Sequence, residues 1–361
     1  MYVVEIACVR CDAVLTRPVE RVALPVRAHQ TCWHDLLPPL MESGTYAVDP
    51  EPFGPPWRSW SEIGARAAAE RGVFAPVHRL SLAAPGAVVV APGDTRGTVL
   101  IPERCDGYCM GLDGRDGPNL ACARCGSAVA TRIDDCSLWQ TVWFVPDAVR
   151  LVPGSDADVC SAAAEPGADW GALAREYRAA PPVEPCGGWD GRWAAAVGAA
   201  LAQLLAVSEG EPVSLPDGIL TDTFGRALDA LLPSGPAARR LVPAGPGLPA
   251  AVGESDIALV PRHPRTGEVW QPSDPAAAVV PLEADVWLHV AFPREQLPVP
   301  ATGGLPDGVY RDYPLPLRPM RLFAPDRQVF LRTLARLPAV REPWLRAVYD
   351  LVQDAPFGQP F

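Results

Sequence analysis

Cys122-Ala-Arg-Cys125-Gly126 is the stretch on which the fold of this chain is read, with Cys8-Val-Arg-Cys11 as its counterpart near the N-terminus. A C-x2-C set between two strand-like segments forms a tight turn that aims two thiolates and several backbone N–H groups at one point. Glycine after the second cysteine lets the chain reverse. The later pair fits that pattern in full, the earlier one without the glycine. Cys105-Asp-Gly-Tyr-Cys109 and Cys136 lie nearby, and eight of the ten cysteines precede residue 153. Thiols clustered in this way in a long chain point to a reducing compartment, where they serve as metal ligands rather than disulfides.

Each pair resembles the knuckle of a zinc ribbon, a resemblance confined to residues 1–137. It implies Zn²⁺ held tetrahedrally by four thiolates at about 2.3 Å. The candidate ligands are Cys8, Cys11, Cys105, Cys109, Cys122 and Cys125. Two pairings are open. A local scheme joins Cys105, Cys109, Cys122 and Cys125. A split scheme joins Cys8 and Cys11 to Cys122 and Cys125, leaving Cys105, Cys109 and Cys136 for a second metal. Short ligand loops need less closure entropy, which favours the local scheme; Cys8 and Cys11 then have Cys32 and His34 as partners for a second site. A thioredoxin-type redox pair is disfavoured, because neither C-x2-C opens a helix whose dipole would lower a thiol pKa.

The whole chain has 361 residues, 48% hydrophobic and 20% charged, enough apolar material for two domains with buried cores. Its 43 prolines and 31 glycines predict short elements and many loops. A net charge of −11 argues against nucleic acid or an anionic membrane as partner. There is no lysine, which excludes a Schiff-base or P-loop lysine in this chain. No run approaches 18 uninterrupted apolar residues, so no membrane span is expected. The N-terminus lacks a basic region and a long apolar run, so a cytoplasmic location is expected. Arg in place of Lys, with heavy use of Ala, Pro and Gly, reads as a high-GC bacterial source.

The fold expected is α+β, with a mostly β half over 1–153 stabilised by Cys-ligated zinc. An Ala/Pro-rich linker over 154–185 carries one short helix near Trp170–Tyr177, and 186–361 is a mixed α+β domain. In the first part, Tyr2–Ala7 and Leu138–Val145 read as strands. Ala87–Ala91 and Thr98–Ile101 read as a hairpin across Pro92–Gly97, and Ser61–Arg71 as a helix. In the last part, Trp189, Trp193, Val197, Leu201 and Leu205 make one apolar helical stripe. Further helices are expected around Phe224–Leu232, after Asp326 and from Pro343. Ile257–Val260, Glu268–Gln271 and Val286–Ala291 read as strands.

No H-E-x-x-H, G-x-S-x-G or other catalytic constellation occurs. The primary expectation is therefore a zinc-stabilised binding or scaffold protein whose partner is another protein or a small molecule. The alternative is an enzyme with structural zinc and an active site using polar groups near Arg132, Asp134 and Asp135. A closed Cys₄ sphere leaves a metal structural, whereas a three-ligand sphere with an open position permits metal catalysis.

Overall fold

The computed structural model describes residues 3–31, 34–105, 107, 109, 111–154, 167–184, 186–249, 253, 256–293 and 319–356. The chain forms two compact units. The first comprises Met1–Ala168 with Pro264–Gly267, the second Asp169–His263 with Glu268–Phe361.

Short β-rich runs separated by proline and glycine build the first unit. Its strands are β1 (Val3–Cys8), β2 (Val19–Arg21), β3 (Tyr46 within Thr45–Val48), β4 (Trp57–Arg58), β5 (Leu80–Ser81), β6 (Val88–Val90), β7 (Thr98–Leu100), β8 (Leu120–Cys122), β9 (Ala128–Ile133), β10 (Thr141–Phe144) and β11 (Val149–Pro153). β4 and β5 pair as a separate two-stranded ribbon. The other nine form one sheet in the order β11-β1-β2-β3-β6-β10-β9-β8-β7. Only the β2–β3 pairing is parallel. Side chains alternate between two buried faces, as a period of two requires. Val88, Val90, Val142 and Phe144 join Ile6 and Leu15 in one cluster, while Val89 and Trp143 join Ala47 and Ile133 in the other. Between the sheet's distant strands, Arg96 N–H donates to Leu15 O at 2.7 Å and Ala123 N–H to Gly97 O at 2.8 Å. The turns after β1 and after β8 are thereby brought together.

Two expectations for this unit need correction. β6 and β7 do not form a hairpin: β6 pairs with β3 and β10, and β7 with β8. Asp94 explains the divergence. Its buried carboxylate accepts from Ser43 Oγ and Gly44 N–H, both at 2.8 Å, and Thr95 bridges to Thr16. The turn is therefore bound to other strands and cannot fold back on β6. The single helix over Ser61–Arg71 is two, α1 (Trp60–Ile63) and α2 (Ala65–Glu70), broken at Gly64 with φ +81°. Ser59, not Ser61, caps α1 in a capping box with Glu62.

The second unit carries α3 (Leu173–Glu176), α4 (Gly191–Ser208), β12 (Val213–Ser214), α5 (Arg226–Leu231), β13 (Arg239–Pro243), β14 (Asp256–Arg262), β15 (Ala278–Glu283), α6 (Ala284–Ala291), α7 (Arg327–Arg336) and α8 (Pro343–Asp354). β12-β13-β14-β15 form an all-parallel sheet in that order. Its central strand β14 is buried on both faces, as a sheet covered by helices requires. Asp190 caps α4 by accepting from Arg192 N–H at 2.7 Å. Of the expected stripe, Trp193, Val197, Leu201 and Leu205 are fully buried, whereas Trp189 precedes α4 and is only partly buried. α4 is long and apolar enough to cross a membrane by composition, but 61% of it is buried inside the protein, the pattern of a core helix. Asp326 caps α7 through Val329 N–H. Val286–Ala291 lies in helix α6, not in a strand. A short apolar run does not distinguish the two by periodicity, and burial of Val286, Trp287 and Val290 on one helical face decides it. Glu268–Gln271 contributes a single bridge, Val269 to Arg262, rather than a strand. The architecture is α+β.

Candidate metal centre

Cys8 ends β1 and Cys122 ends β8, and the same turn follows each. Asp12 N–H donates to Cys8 O at 2.9 Å and Gly126 N–H to Cys122 O at 2.8 Å. Cys8 N–H then donates to Ala13 O at 2.9 Å and Cys122 N–H to Ser127 O at 2.8 Å. The fifth residue of each turn is left-handed, Gly126 at φ +73° and Asp12 at φ +59°. Asp tolerates that conformation better than most residues, so the earlier knuckle closes without glycine.

The two turns face each other. Cys8 Sγ lies 3.7 Å from Cys125 Sγ, and Cys11 Sγ 3.6 Å from Cys122 Sγ. All four sulfurs lie within 4.8 Å of one another. A tetrahedron with metal–sulfur bonds of about 2.3 Å has edges of about 3.8 Å, whereas a disulfide needs about 2.05 Å. The spacing is that of ligands around a metal ion. Cys8 and Cys122 are buried and Cys11 and Cys125 partly so.

Four neighbouring thiols cannot all ionise without a cation. Hydrogen bonding from the Ser127 side chain and backbone draws the Cys125 thiol down to about 6, with smaller help from Cys11 and Cys8. A backbone hydrogen bond from Ala13 pulls Cys11 the same way. Burial and the adjoining Cys125, Cys122 and Cys8 outweigh it and push Cys11 up to about 12. Negative charge thus settles on Cys125, and a bound dication would stabilise the remaining thiolates and release their protons.

This arrangement corrects the local pairing. Cys105 belongs to neither group; its Sγ donates to Ile101 O at 3.1 Å. Cys109 sits elsewhere, with Cys136 and His34, and these three donors also lie within 4.8 Å of one another. His34 Nδ1 is 3.7 Å from Cys136 Sγ and 4.0 Å from Cys109 Sγ. The expected meeting of Cys8 and Cys11 with His34 does not occur, and Cys32 lies outside the described residues. The Cys109 thiol is raised, first by its hydrogen bond with Cys136, then by burial and the charges of Cys136 and Asp135.

The polar groups of the alternative reading have local roles. Arg132 Nη2 pairs with Asp134 Oδ2 at 2.8 Å. Buried Asp135 accepts from Cys136 N–H at 2.8 Å. Asn119, fully buried, both accepts from Arg132 N–H and donates to Arg132 O. It thereby takes the place of a neighbouring strand's backbone. Arg79 was not singled out by the sequence. It lies over the Trp57 ring at 5.5 Å; burial lowers its pKa, opposed by the charges of Asp113 and Asp135.

No protein-family model, curated protein or solved structure matches the chain. The class defined by the site is that of a protein with cysteine groups placed to bind a metal, the main group built from two facing C-x2-C turns.

Proposed function

We propose that this chain is a cytosolic zinc protein in which Cys8, Cys11, Cys122 and Cys125 hold one structural Zn²⁺ in a zinc-ribbon-like centre. The observation that carries this reading is the pair of matching turns, whose sulfurs stand at the edge length of a zinc tetrathiolate. Four protein thiolates leave no position for substrate, so this metal stabilises and does no chemistry. On this reading the chain acts as a binding or scaffold protein for another protein or a small molecule. Arg132 and Asp134, two of the groups on which an enzyme reading would draw, pair with each other. Iron is the rival for four cysteines, and it would colour the protein.

Metal analysis of protein purified without a polyhistidine tag tests the proposal. The expected result is a colourless protein with at least one zinc per chain, one equivalent of which is lost in Cys122→Ser and kept in Cys105→Ser. Less than one equivalent of zinc, or the same loss from both variants, overturns it.

A further inference from the structure

We propose that His34, Cys109 and Cys136 hold a second zinc ion with one coordination position open to an outside ligand. The three donors come from separate loops, yet their ligand atoms converge within 4.8 Å. Zn–N and Zn–S bonds of about 2.1 and 2.3 Å set an N–S edge of about 3.6 Å. The observed 3.7 and 4.0 Å need only a few tenths of an ångström of closure.

The backbone holds these loops together. Leu112 N–H donates to Asp134 O and Asp134 N–H to Leu112 O, at 2.9 and 2.8 Å. Ser137 N–H donates to Asp35 O at 2.9 Å, and His34 N–H to Ser137 Oγ at 3.3 Å. Gly111 runs so close to Asp134 that a Cβ there would stand 2.1 Å from the Asp134 carbonyl oxygen. His34 and Ser137 also take left-handed φ values of +51° and +69°. Among the described residues only four non-glycine positions have positive φ. These two are at this group, and Asp12 is at the other. Such conformations persist where the surroundings over-determine them, and they concentrate at functional sites.

This group is separate from the facing turns. Cys125 precedes β9 and Cys136 follows it, so the two groups lie at opposite ends of a strand roughly 17 Å long. Their chemistry differs as well. Four thiolates around Zn²⁺ carry a net charge of −2, whereas two thiolates with a neutral imidazole make a neutral centre. A neutral centre retains water or takes up a small thiolate or anion, and Cys₂His is a donor set of catalytic zinc. His34 and Cys109 are exposed while Cys136 is buried, so the open position faces solvent. Among the described residues no fourth donor joins the group.

Zinc content and cobalt spectra of the full, tag-free chain test this. Wild type is expected to hold two zinc ions per chain, and Cys136→Ser and His34→Ala one each, with far-UV circular dichroism unchanged. His34 is exposed, so its variant keeps the test valid if Cys136→Ser does not fold. In the cobalt-substituted protein, 2-mercaptoethanol is expected to strengthen the sulfur-to-cobalt charge-transfer band in wild type and not in His34→Ala. One zinc in wild type, unaffected by His34→Ala, overturns the second site. No response to 2-mercaptoethanol, or loss of one zinc in Cys32→Ser, overturns the open position by showing a closed sphere.

Discussion

Replacing Cys122 by serine cuts the tie between the two facing turns, whose nearest partners Cys11 and Cys122 are 111 residues apart. A cross-link closing a loop of that length removes about 4.8 kcal/mol of unfolded-chain entropy at 25 °C. A metal held by both turns acts as that cross-link, so the first unit is expected to lose about 5 kcal/mol when the metal is lost. In a unit of 150–250 residues each kcal/mol moves the melting temperature by about 2–4 °C, which gives a drop of roughly 10–20 °C. Cys105→Ser is the control. Among the described residues its Sγ donates to Ile101 O at 3.1 Å, a bond serine reproduces, so the change is expected to stay within about 1 kcal/mol. Calorimetry of the full chain, with metal content measured on the same samples, reads both, and the transition of the second unit serves as internal reference. The reasoning fails if the two variants melt within about 4 °C of each other, or if Cys122→Ser retains wild-type metal content.

Gly126→Ala is expected to cost about 1–2 kcal/mol with zinc retained, because φ is +73° and a Cβ there meets nothing within 4 Å, so the penalty is backbone strain alone. An unchanged melting temperature would show that the turn can relax. Asp12→Gly removes the same strain but also the exposed 2.8 Å pair with Arg150, and should leave stability within about 1 kcal/mol. Burial beside Trp193 lowers the pKa of His289. Its unfolded form therefore takes up a proton first. The stability it contributes is whole above the ordinary histidine value and is lost as pH falls through the lower folded value. His289→Gln should flatten the decline of the second unit between pH 7 and 5, and an identical slope in both proteins would refute this. Strong chelation should strip hydrogen-exchange protection from the first unit while α4, α7 and α8 keep theirs, since Trp193, Phe330 and Tyr349 are buried within the second unit. Uniform loss across the chain would mean one cooperative unit.

Elements with a local signature were legible in the sequence. Asp326 announces α7, Pro343 opens α8, and a four-residue apolar repeat marks the buried face of α4, whose cap Asp190 the sequence did not single out. The two facing turns were legible from C-x2-C spacing alone, but their pairing was not. Closure entropy distinguishes a loop of about a dozen residues from one of about 110 by only about 2 kcal/mol. That difference is too small to decide the pairing, because a sheet that brings the turns after β1 and after β8 together has already met the closure cost. The hairpin across Pro92–Gly97 failed for a related reason. Its turn residues satisfy their hydrogen bonds with Ser43, Gly44 and Thr16, which no local pattern encodes.

His34 was singled out beside Cys32, but with Cys8 and Cys11 as its partners. The donors it meets, Cys109 and Cys136, stand 75 and 102 residues away, a separation that no local spacing encodes. What brings these donors together is the Leu112–Asp134 ladder and the Ser137–Asp35 bond, both backbone contacts independent of side-chain type. The left-handed His34 and Ser137 show that the arrangement is held against local preference. If both groups hold zinc, β9 is tied at each end. One metal joins its start to β1 through Cys8 and Cys11, and the other joins its finish to the loops of His34 and Cys109. A sheet of strands only three to six residues long frays from its ends, and β9, between β8 and β10, is where two such ties restrain the most neighbours. The stabilising tie is the closed, thiolate-rich one beside the buried sulfurs Cys8 and Cys122. The exposed Cys₂His end is the one left free to exchange ligands, and it is there that any chemistry by this chain should be sought.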